Sequence, residues 1–92
     1  MSVQWLFDVI QARKENPSEG SYTSSLFAAG LPKIAQKVGE EASEVIVAAL
    51  AQNDQRLIEE VADLTYHTLV LLSARNLSLS DVLAELKQRH KK

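Results

Sequence analysis

Two long segments with helical periodicity, separated by a very short linker, constrain the fold of this 92-residue chain more than any other feature. The first runs from Pro32 to about Ala51, and the second runs from Asn53 to about Arg75. Apolar residues in both recur three and four positions apart, which puts them on one face of a helix. Helices joined by so short a linker pack as antiparallel neighbours. The sequence therefore predicts an all-α fold of four to five helices built around a long antiparallel pair.

Three shorter helices complete the predicted fold. Apolar residues at helical spacing predict the first over residues 3–14. A short second helix follows, and either Ser21 or Thr23 provides its N-cap. Ser78, with Asp81 three residues later, forms a capping box at the start of the last helix. The chain has only three glycines and two prolines, too few for the turns of a many-stranded fold.

The length predicts a single domain over residues 1–92. A domain of this size buries a modest fraction of its surface, and an aromatic content of 5% makes its core aliphatic. Its stability is therefore limited unless subunits associate. We expect a helical bundle that is completed by dimerisation.

Composition narrows the partners and the location of the chain. It has no cysteine, which excludes disulfides and thiolate zinc sites. The net charge is −2 and no basic stripe is interleaved with aromatic residues, so nucleic-acid binding is not expected. The start lacks the layout of a signal peptide and no apolar run is long enough to cross a membrane, so we expect a cytoplasmic protein. Positive residues near the end are expected to stabilise the C-terminus of the last helix: Lys87, Arg89, Lys91 and Lys92.

Two acidic clusters lie within the long helices. Glu40, Glu41 and Glu44 belong to the first helix, and Glu60 and Asp63 belong to the second. Carboxylates three and four apart are neighbours on a helix, and antiparallel packing brings the two clusters to similar depth. This much negative charge needs compensation. Mg²⁺ and Mn²⁺ prefer oxygen ligands and often lie between carboxylates and substrate phosphates. The five acids are therefore predicted metal ligands, with Glu40 either a ligand or a supporting group, and the other four are the predicted catalytic residues.

The position of these acids relative to the apolar faces strengthens the metal interpretation. Glu41 falls inside the stripe of the first long helix, which consists of Ile34, Val38, Val45 and Ala49. Glu60, continued by Asp63 and His67, borders the stripe of the second, which consists of Leu57, Val61, Leu64, Thr68, Leu71 and Leu72. Departures from the local pattern are expected at functional sites. Gly39 either allows a close backbone approach at this site or is tolerated there at a cost of about 1 kcal/mol.

Cationic and hydroxyl side chains near the acids are candidates for phosphate contacts. Lys33 and Lys37 lie one turn apart, and they either neutralise the acids or meet a phosphate. The run Ser21-Tyr22-Thr23 precedes a helix start, where N–H and O–H donors hold phosphate oxygens, although capping explains it equally well. Arg13 either stabilises the end of the first helix or faces an anionic substrate.

The spacing of the acids resembles a known enzyme superfamily. Glu-Glu-x-x-Glu, followed after 15 residues by Glu-x-x-Asp, is similar to the motif of the all-α nucleoside triphosphate pyrophosphohydrolases, the MazG-like superfamily. Between about Arg13 and Arg89 the flanking segments look like phosphoribosyl-ATP pyrophosphohydrolase: Ser21-Tyr22-Thr23, Lys37-Val38-Gly39-Glu40-Glu41-Ala42, Ala62-Asp63-Leu64-Thr65-Tyr66-His67 and Val70-Leu71-Leu72. Thr65 stands where that pattern leads us to expect an aliphatic residue.

The resemblance implies a reaction and its participants. It implies Mg²⁺-dependent hydrolysis of phosphoribosyl-ATP to phosphoribosyl-AMP and pyrophosphate in histidine biosynthesis, by a homodimer with active sites near the subunit interface. The chain has no room for the cyclohydrolase that many organisms fuse to this enzyme, so a stand-alone form is expected. Ser21, Tyr22 and Thr23 are expected to touch the ribose phosphate or the phosphate chain. His67 is expected to be a hydrogen-bonded core or supporting residue rather than a ligand, and Tyr66 is expected to pack on the opposite side of its helix.

Three other functions remain open at this stage. A house-cleaning pyrophosphatase for damaged or surplus nucleotides would use the same acids with a different pocket for base and sugar. A helical dimerisation or adaptor module would leave the acids solvated or structural. A di-iron carboxylate bundle needs Glu-x-x-His pairs, whereas the second motif ends in Asp63 and His67 lies four residues further on.

Overall fold

The computed structural model describes residues 1–90 as five helices. They are α1 (Val3–Glu15), α2 (Tyr22–Ala29), α3 (Leu31–Ala51), α4 (Asp54–Ala74) and α5 (Leu79–Arg89). No strand occurs in this part of the chain, so the all-α prediction is confirmed. Within residues 1–90, no helix combines the length and the apolar character needed to cross a membrane. Lys87 and Arg89 lie in the last turn of α5 as predicted, whereas Lys91 and Lys92 lie outside the described residues.

The helix boundaries follow from the side chains that cap them. Ser21, rather than Thr23, is the N-cap of α2, and its hydroxyl accepts a backbone N–H of the first turn at 3.1 Å. Asn53 caps α4 in the same way. Ser78 and Asp81 make both hydrogen bonds of the capping box, at 3.2 and 2.9 Å. These caps satisfy N–H groups that have no partner inside their own helix.

The α3 and α4 helices form the predicted antiparallel hairpin and contact each other more extensively than any other pair of described helices. The α1 helix packs on α4, and α2 lies against α1 and α3. The contiguous buried core consists of Phe7, Ile10, Leu26, Ile34, Leu69 and Val70. Because its α3 and α4 members all lie far from the hairpin turn, the core occupies the half of the hairpin that is remote from that turn.

The burial of α3 and α4 corrects part of the predicted register. In α3 the buried residue near the turn is Ala48, whereas Ala49 is exposed. In α4 the predicted stripe residue Val61 is exposed, and Leu69 and Val70 are buried instead. The reason is that α1 and α2 add a second packing surface to the C-terminal half of α4. A single helical stripe describes only the contact with α3.

Candidate metal site

The α3–α4 hairpin brings three of the predicted acids together. One carboxylate oxygen from each of Glu41, Glu60 and Asp63 lies within 4.8 Å of the other two. Glu41 is 6% exposed and Glu60 is 4% exposed, so both are buried, whereas Asp63 is exposed. We call these residues the acidic triad. The expectation that Glu41 lies within the apolar face of its helix is confirmed, and Glu60 is buried rather than at a border.

The buried acids of the triad each have one oxygen beside a cation and one oxygen without a partner. Lys37 Nζ lies 3.4 Å from Glu41 Oε1, and an Arg56 guanidinium nitrogen lies 2.6 Å from Glu60 Oε1. When all the acids are ionised, the buried Oε2 atoms of Glu41 and Glu60 have no hydrogen-bond partner among residues 1–90. A buried polar atom without a partner is costly. The carboxylates therefore have the free, hard oxygen donors that a divalent cation requires.

Glu44 lies beside two members of the triad. Hydrogen bonds with Glu60 and then Glu41, together with the charge of Glu41, raise the pKa of the Glu44 carboxyl to about 7 from its ordinary 4.5. The physical cause is that carboxylates can hydrogen-bond to one another only when one of them keeps a proton. The raised pKa of Glu44 is therefore a consequence of its close contact with Glu41 and Glu60.

Glu40 lies on the exposed side of this cluster. It accepts a hydrogen bond from Gln36 at 2.8 Å and lies 3.3 Å from Lys37 Nζ. The bond from Gln36, followed by that from Lys37, lowers the pKa of the Glu40 carboxyl, and the charge of Lys33 acts in the same direction. Glu40 is not a member of the acidic triad, and its assignment as a metal ligand stays a prediction.

Lys37 connects the acids with α2. Burial lowers the pKa of its ammonium, but the hydrogen bond to Glu40, the nearby Tyr22 phenol and the hydrogen bond to Glu41 together raise it above the ordinary value. Lys37 therefore stays charged between the acids and Tyr22. Of the two interpretations of this residue, the contact with Glu40 and Glu41 supports neutralisation of the acids, and a phosphate contact stays a prediction.

Arg56 is a site residue that the sequence analysis missed. It pairs with both Glu59 and Glu60, and these two carboxylates raise the pKa of its guanidinium. The signal was present, because Arg56 lies four residues before Glu60 and such pairs meet on a helix. Arg56 and Glu60 also line one cavity with Glu44, Val47 and Gln52.

The Ser-Tyr-Thr run of α2 contacts α4 next to the triad. The Tyr22 hydroxyl lies 3.0 Å from Nε2 of His67, and the Thr23 and Tyr66 hydroxyls also share a hydrogen bond. Nδ1 of His67 lies 2.7 Å from the backbone oxygen of Asp63. His67 is thus a buried histidine with hydrogen bonds to both ring nitrogens, as expected. The placement of Tyr66 on the opposite side of its helix is wrong, because its ring lies 5.0 Å from that of His67 and stacks on Tyr22.

Arg13 lies on the exposed surface of α1, away from this cluster. The next residue, Lys14, donates hydrogen bonds to the Ser73 carbonyl at 2.5 Å and to Asn76 at 2.6 Å. Ser73 is ten residues beyond Asp63, or about 15 Å along the helix. The structure does not bring Arg13 to the acidic triad, and its role as a substrate contact stays a prediction.

Comparison with known proteins identifies the family. The family model described as phosphoribosyl-ATP pyrophosphohydrolase matches residues 3–90. A protein of Listeria welshimeri named phosphoribosyl-ATP pyrophosphatase is 59% identical over 87 residues, which cover 95% of this chain and 84% of that protein. A protein of the same name from Clostridium acetobutylicum is 52% identical over 87 residues, with 95% and 79% covered. The chain therefore belongs to the phosphoribosyl-ATP pyrophosphohydrolase family.

Proposed function

We propose that this single-domain chain hydrolyses phosphoribosyl-ATP to phosphoribosyl-AMP and pyrophosphate, the second step of histidine biosynthesis, in the cytoplasm. The relatives named phosphoribosyl-ATP pyrophosphatase cover 95% of its length. The observation that carries the proposal is the acidic triad, whose oxygens lie within 4.8 Å of one another. Oxygen-rich sites of this kind suit the cation that accompanies a triphosphate substrate.

We propose Mg²⁺ as the bound cation, with Mn²⁺ as the alternative. The donor set fits, because the triad offers only hard oxygen ligands, and two of its buried oxygens have no donor among the described residues when the acids are ionised. Glu41, Glu60 and Asp63 would hold the ion, Glu44 is a further ligand, and Glu40 supports them from the exposed side. When bound, the ion offsets the negative charge that develops on the phosphate oxygens.

The remaining residues act on the substrate and on the attacking water. Hydrolysis between the α- and β-phosphates requires a water to lose a proton, and a carboxylate of the site accepts it. Lys37, beside the triad, and Lys33, one turn earlier, supply positive charge for the phosphate chain. The further proposed substrate contacts are Arg13, Ser21, Tyr22 and Thr23.

We also propose that the enzyme is a homodimer that associates through the half of the α3–α4 hairpin next to its turn. Five large apolar side chains of this half are 45% to 84% exposed, and we name them the distal apolar surface: Ile46, Val47, Leu50, Ile58 and Val61. A concentration of exposed apolar side chains marks an interaction surface. Val47 lines the same cavity as Glu44 and Glu60, so a partner bound here would lie beside the acids.

The test of the reaction is pyrophosphate release by the purified chain with and without Mg²⁺. Phosphoribosyl-ATP is compared with a panel of ordinary and modified nucleoside triphosphates. We expect rapid, Mg²⁺-dependent release from phosphoribosyl-ATP alone. Release mainly from the other triphosphates would contradict the substrate and indicate a house-cleaning pyrophosphatase with the same acids. No release from any of them would contradict catalysis and favour a dimerisation module.

A further inference from the structure

Two hydrogen bonds of the His67 ring, one within α4 and one with α2, define which of its nitrogens carries a proton. Nδ1 lies 2.7 Å from the backbone oxygen of Asp63. A carbonyl oxygen only accepts hydrogen bonds, so Nδ1 is the donor. A neutral imidazole ring has a single N–H. Nε2 is therefore an acceptor.

The direction of the Tyr22 hydrogen bond follows. Its hydroxyl lies 3.0 Å from Nε2 of His67, and because Nε2 accepts, the hydroxyl donates. A phenol has one hydrogen, so Tyr22 in this arrangement has only oxygen lone pairs left for a ligand. Phosphate oxygens are also acceptors. Tyr22 can therefore bind a ligand hydroxyl or amino group but cannot donate to a phosphate.

The exposed ring of Tyr22 lies near residues of the candidate metal site. Tyr22 is 52% exposed, although its hydroxyl is hydrogen-bonded to the buried His67. On one side its phenol is close enough to act on the charge of Lys37. On the other side its anchor, His67, is bonded to the backbone of Asp63, a member of the triad. A substrate whose phosphates meet Lys37 and the triad would have its nucleoside portion within reach of Tyr22.

We propose that His67 is a positioning residue that orients Tyr22, and that the Tyr22 oxygen accepts a hydrogen bond from a sugar hydroxyl or an amino group of the substrate. This inference rests on the proposed function, because it takes the substrate to be a nucleotide. It replaces the expectation that Tyr22 contacts the ribose phosphate or the phosphate chain. Phosphate recognition is left to cationic donors such as Lys37.

The first test measures the tautomer of His67 and does not depend on activity. Two-bond ¹H–¹⁵N correlation spectra of the labelled full chain report which ring nitrogen is protonated. We expect His67 to be protonated at Nδ1, and we expect Tyr22→Phe to move the Nε2 resonance. A proton on Nε2 would overturn the inference. Even a chain that fails to hydrolyse phosphoribosyl-ATP gives this result, so the two proposals fail separately.

The second test separates nucleoside recognition from phosphate recognition. Tyr22→Phe should raise the KM for phosphoribosyl-ATP roughly three- to tenfold, as expected for one neutral hydrogen bond, with little change in kcat. Inhibition by inorganic triphosphate, which has no nucleoside, should be unchanged. His67→Phe should reproduce the rise in KM, and the double variant should be no worse than either single variant. Weaker inhibition by inorganic triphosphate in Tyr22→Phe would overturn the inference.

The matched control is Tyr66→Phe, which removes the other side-chain hydrogen bond between α2 and α4. It should leave both the KM and the His67 resonances unchanged. A rise in KM equal to that of Tyr22→Phe would mean that these bonds only hold α2 in place, and would contradict the inference. Analogues of phosphoribosyl-ATP that lack one sugar hydroxyl identify the partner, because the effect of Tyr22→Phe should vanish for the analogue without the bonded group. If it persists for all of them, the amino group is the partner.

Discussion

At the scale of single residues, the site is defined by an imbalance of charge. Four carboxylates lie together, those of Glu44 and the acidic triad. Two cations, Lys37 and Arg56, contact them. The same cations also pair with the exposed Glu40 and Glu59. When all of these groups are ionised, six carboxylates face two cations, and one divalent cation offsets half of the remaining negative charge. Without a cation, the proton that Glu44 retains offsets one of these negative charges.

Glu41→Gln tests the metal assignment. Because it removes one hard ligand and little volume, we expect a folded protein whose thermal midpoint no longer rises with Mg²⁺ and whose pyrophosphate release falls roughly 100-fold or more. Circular dichroism and the release assay measure the two effects. Glu85→Gln, at an exposed site in α5, is the control and should behave as wild type. Full turnover by Glu41→Gln would show that Glu41 is not needed to hold the metal.

Glu44 makes the stability of the metal-free protein depend on pH. Its carboxyl ionises near 4.5 in an ordinary environment and near 7 in the folded chain. Between these values the folded state holds more protons than the unfolded state, so stability falls as pH rises from about 4.5 to about 7 and this contribution is constant above that. Glu44→Gln should weaken this fall and raise the midpoint of the metal-free protein above pH 7. Chemical unfolding at several pH values, with a chelator present, measures the stability of wild type and of Glu44→Gln. If stability depended on pH identically in the two proteins, the raised pKa would not belong to Glu44.

At the scale of helices, the sequence predicted correctly those features that depend on residues of a single helix. The capping residues Ser78 and Asp81 and the burial of Glu41 were predicted because propensity and periodicity act within one helix. The exposure of Val61 was not predicted, because it depends on where α1 and α2 cover α4. The contact of Tyr66 with α2 was missed for the same reason. Contacts between helices from distant parts of the chain leave no periodic signal in either one.

The substitution Gly39→Ala tests whether the substrate approaches the backbone of α3 at this position. A Cβ added at Gly39 would meet no heavy atom of residues 1–90 within 4 Å, so no other part of the described chain approaches the backbone closely here. Gly39→Ala should therefore stabilise the protein by about 1 kcal/mol, because alanine is the better helix former. Urea unfolding measures the gain. An equal gain accompanied by a raised KM would show that the substrate approaches the backbone here.

At the scale of the whole molecule, the hairpin is unevenly covered. The half remote from the turn carries the core with α1 and α2, whereas the half next to the turn carries the distal apolar surface. Glu41 of the triad lies at the middle of α3, whereas Glu60 lies between Ile58 and Val61 of this surface. A second subunit on the distal apolar surface would bury it and would exclude water from one side of the acids. Dimerisation would then serve both the stability of the fold and the chemistry of the site.

Ile46→Lys tests this arrangement. Because Ile46 is 60% exposed in the distal apolar surface, a lysine there should not destabilise the monomer, but it would place a charge in the proposed interface. In sedimentation equilibrium we expect wild type to be a dimer and the variant to be a monomer with unchanged helix content. The thermal midpoint should rise with protein concentration only in wild type, because association stabilises the folded state by mass action. Gln88→Lys, on the exposed surface of α5, adds the same charge elsewhere and should remain dimeric. A dimeric Ile46→Lys would place the interface elsewhere, and the exposed Leu83 and Leu86 of α5 would be the next surface to test.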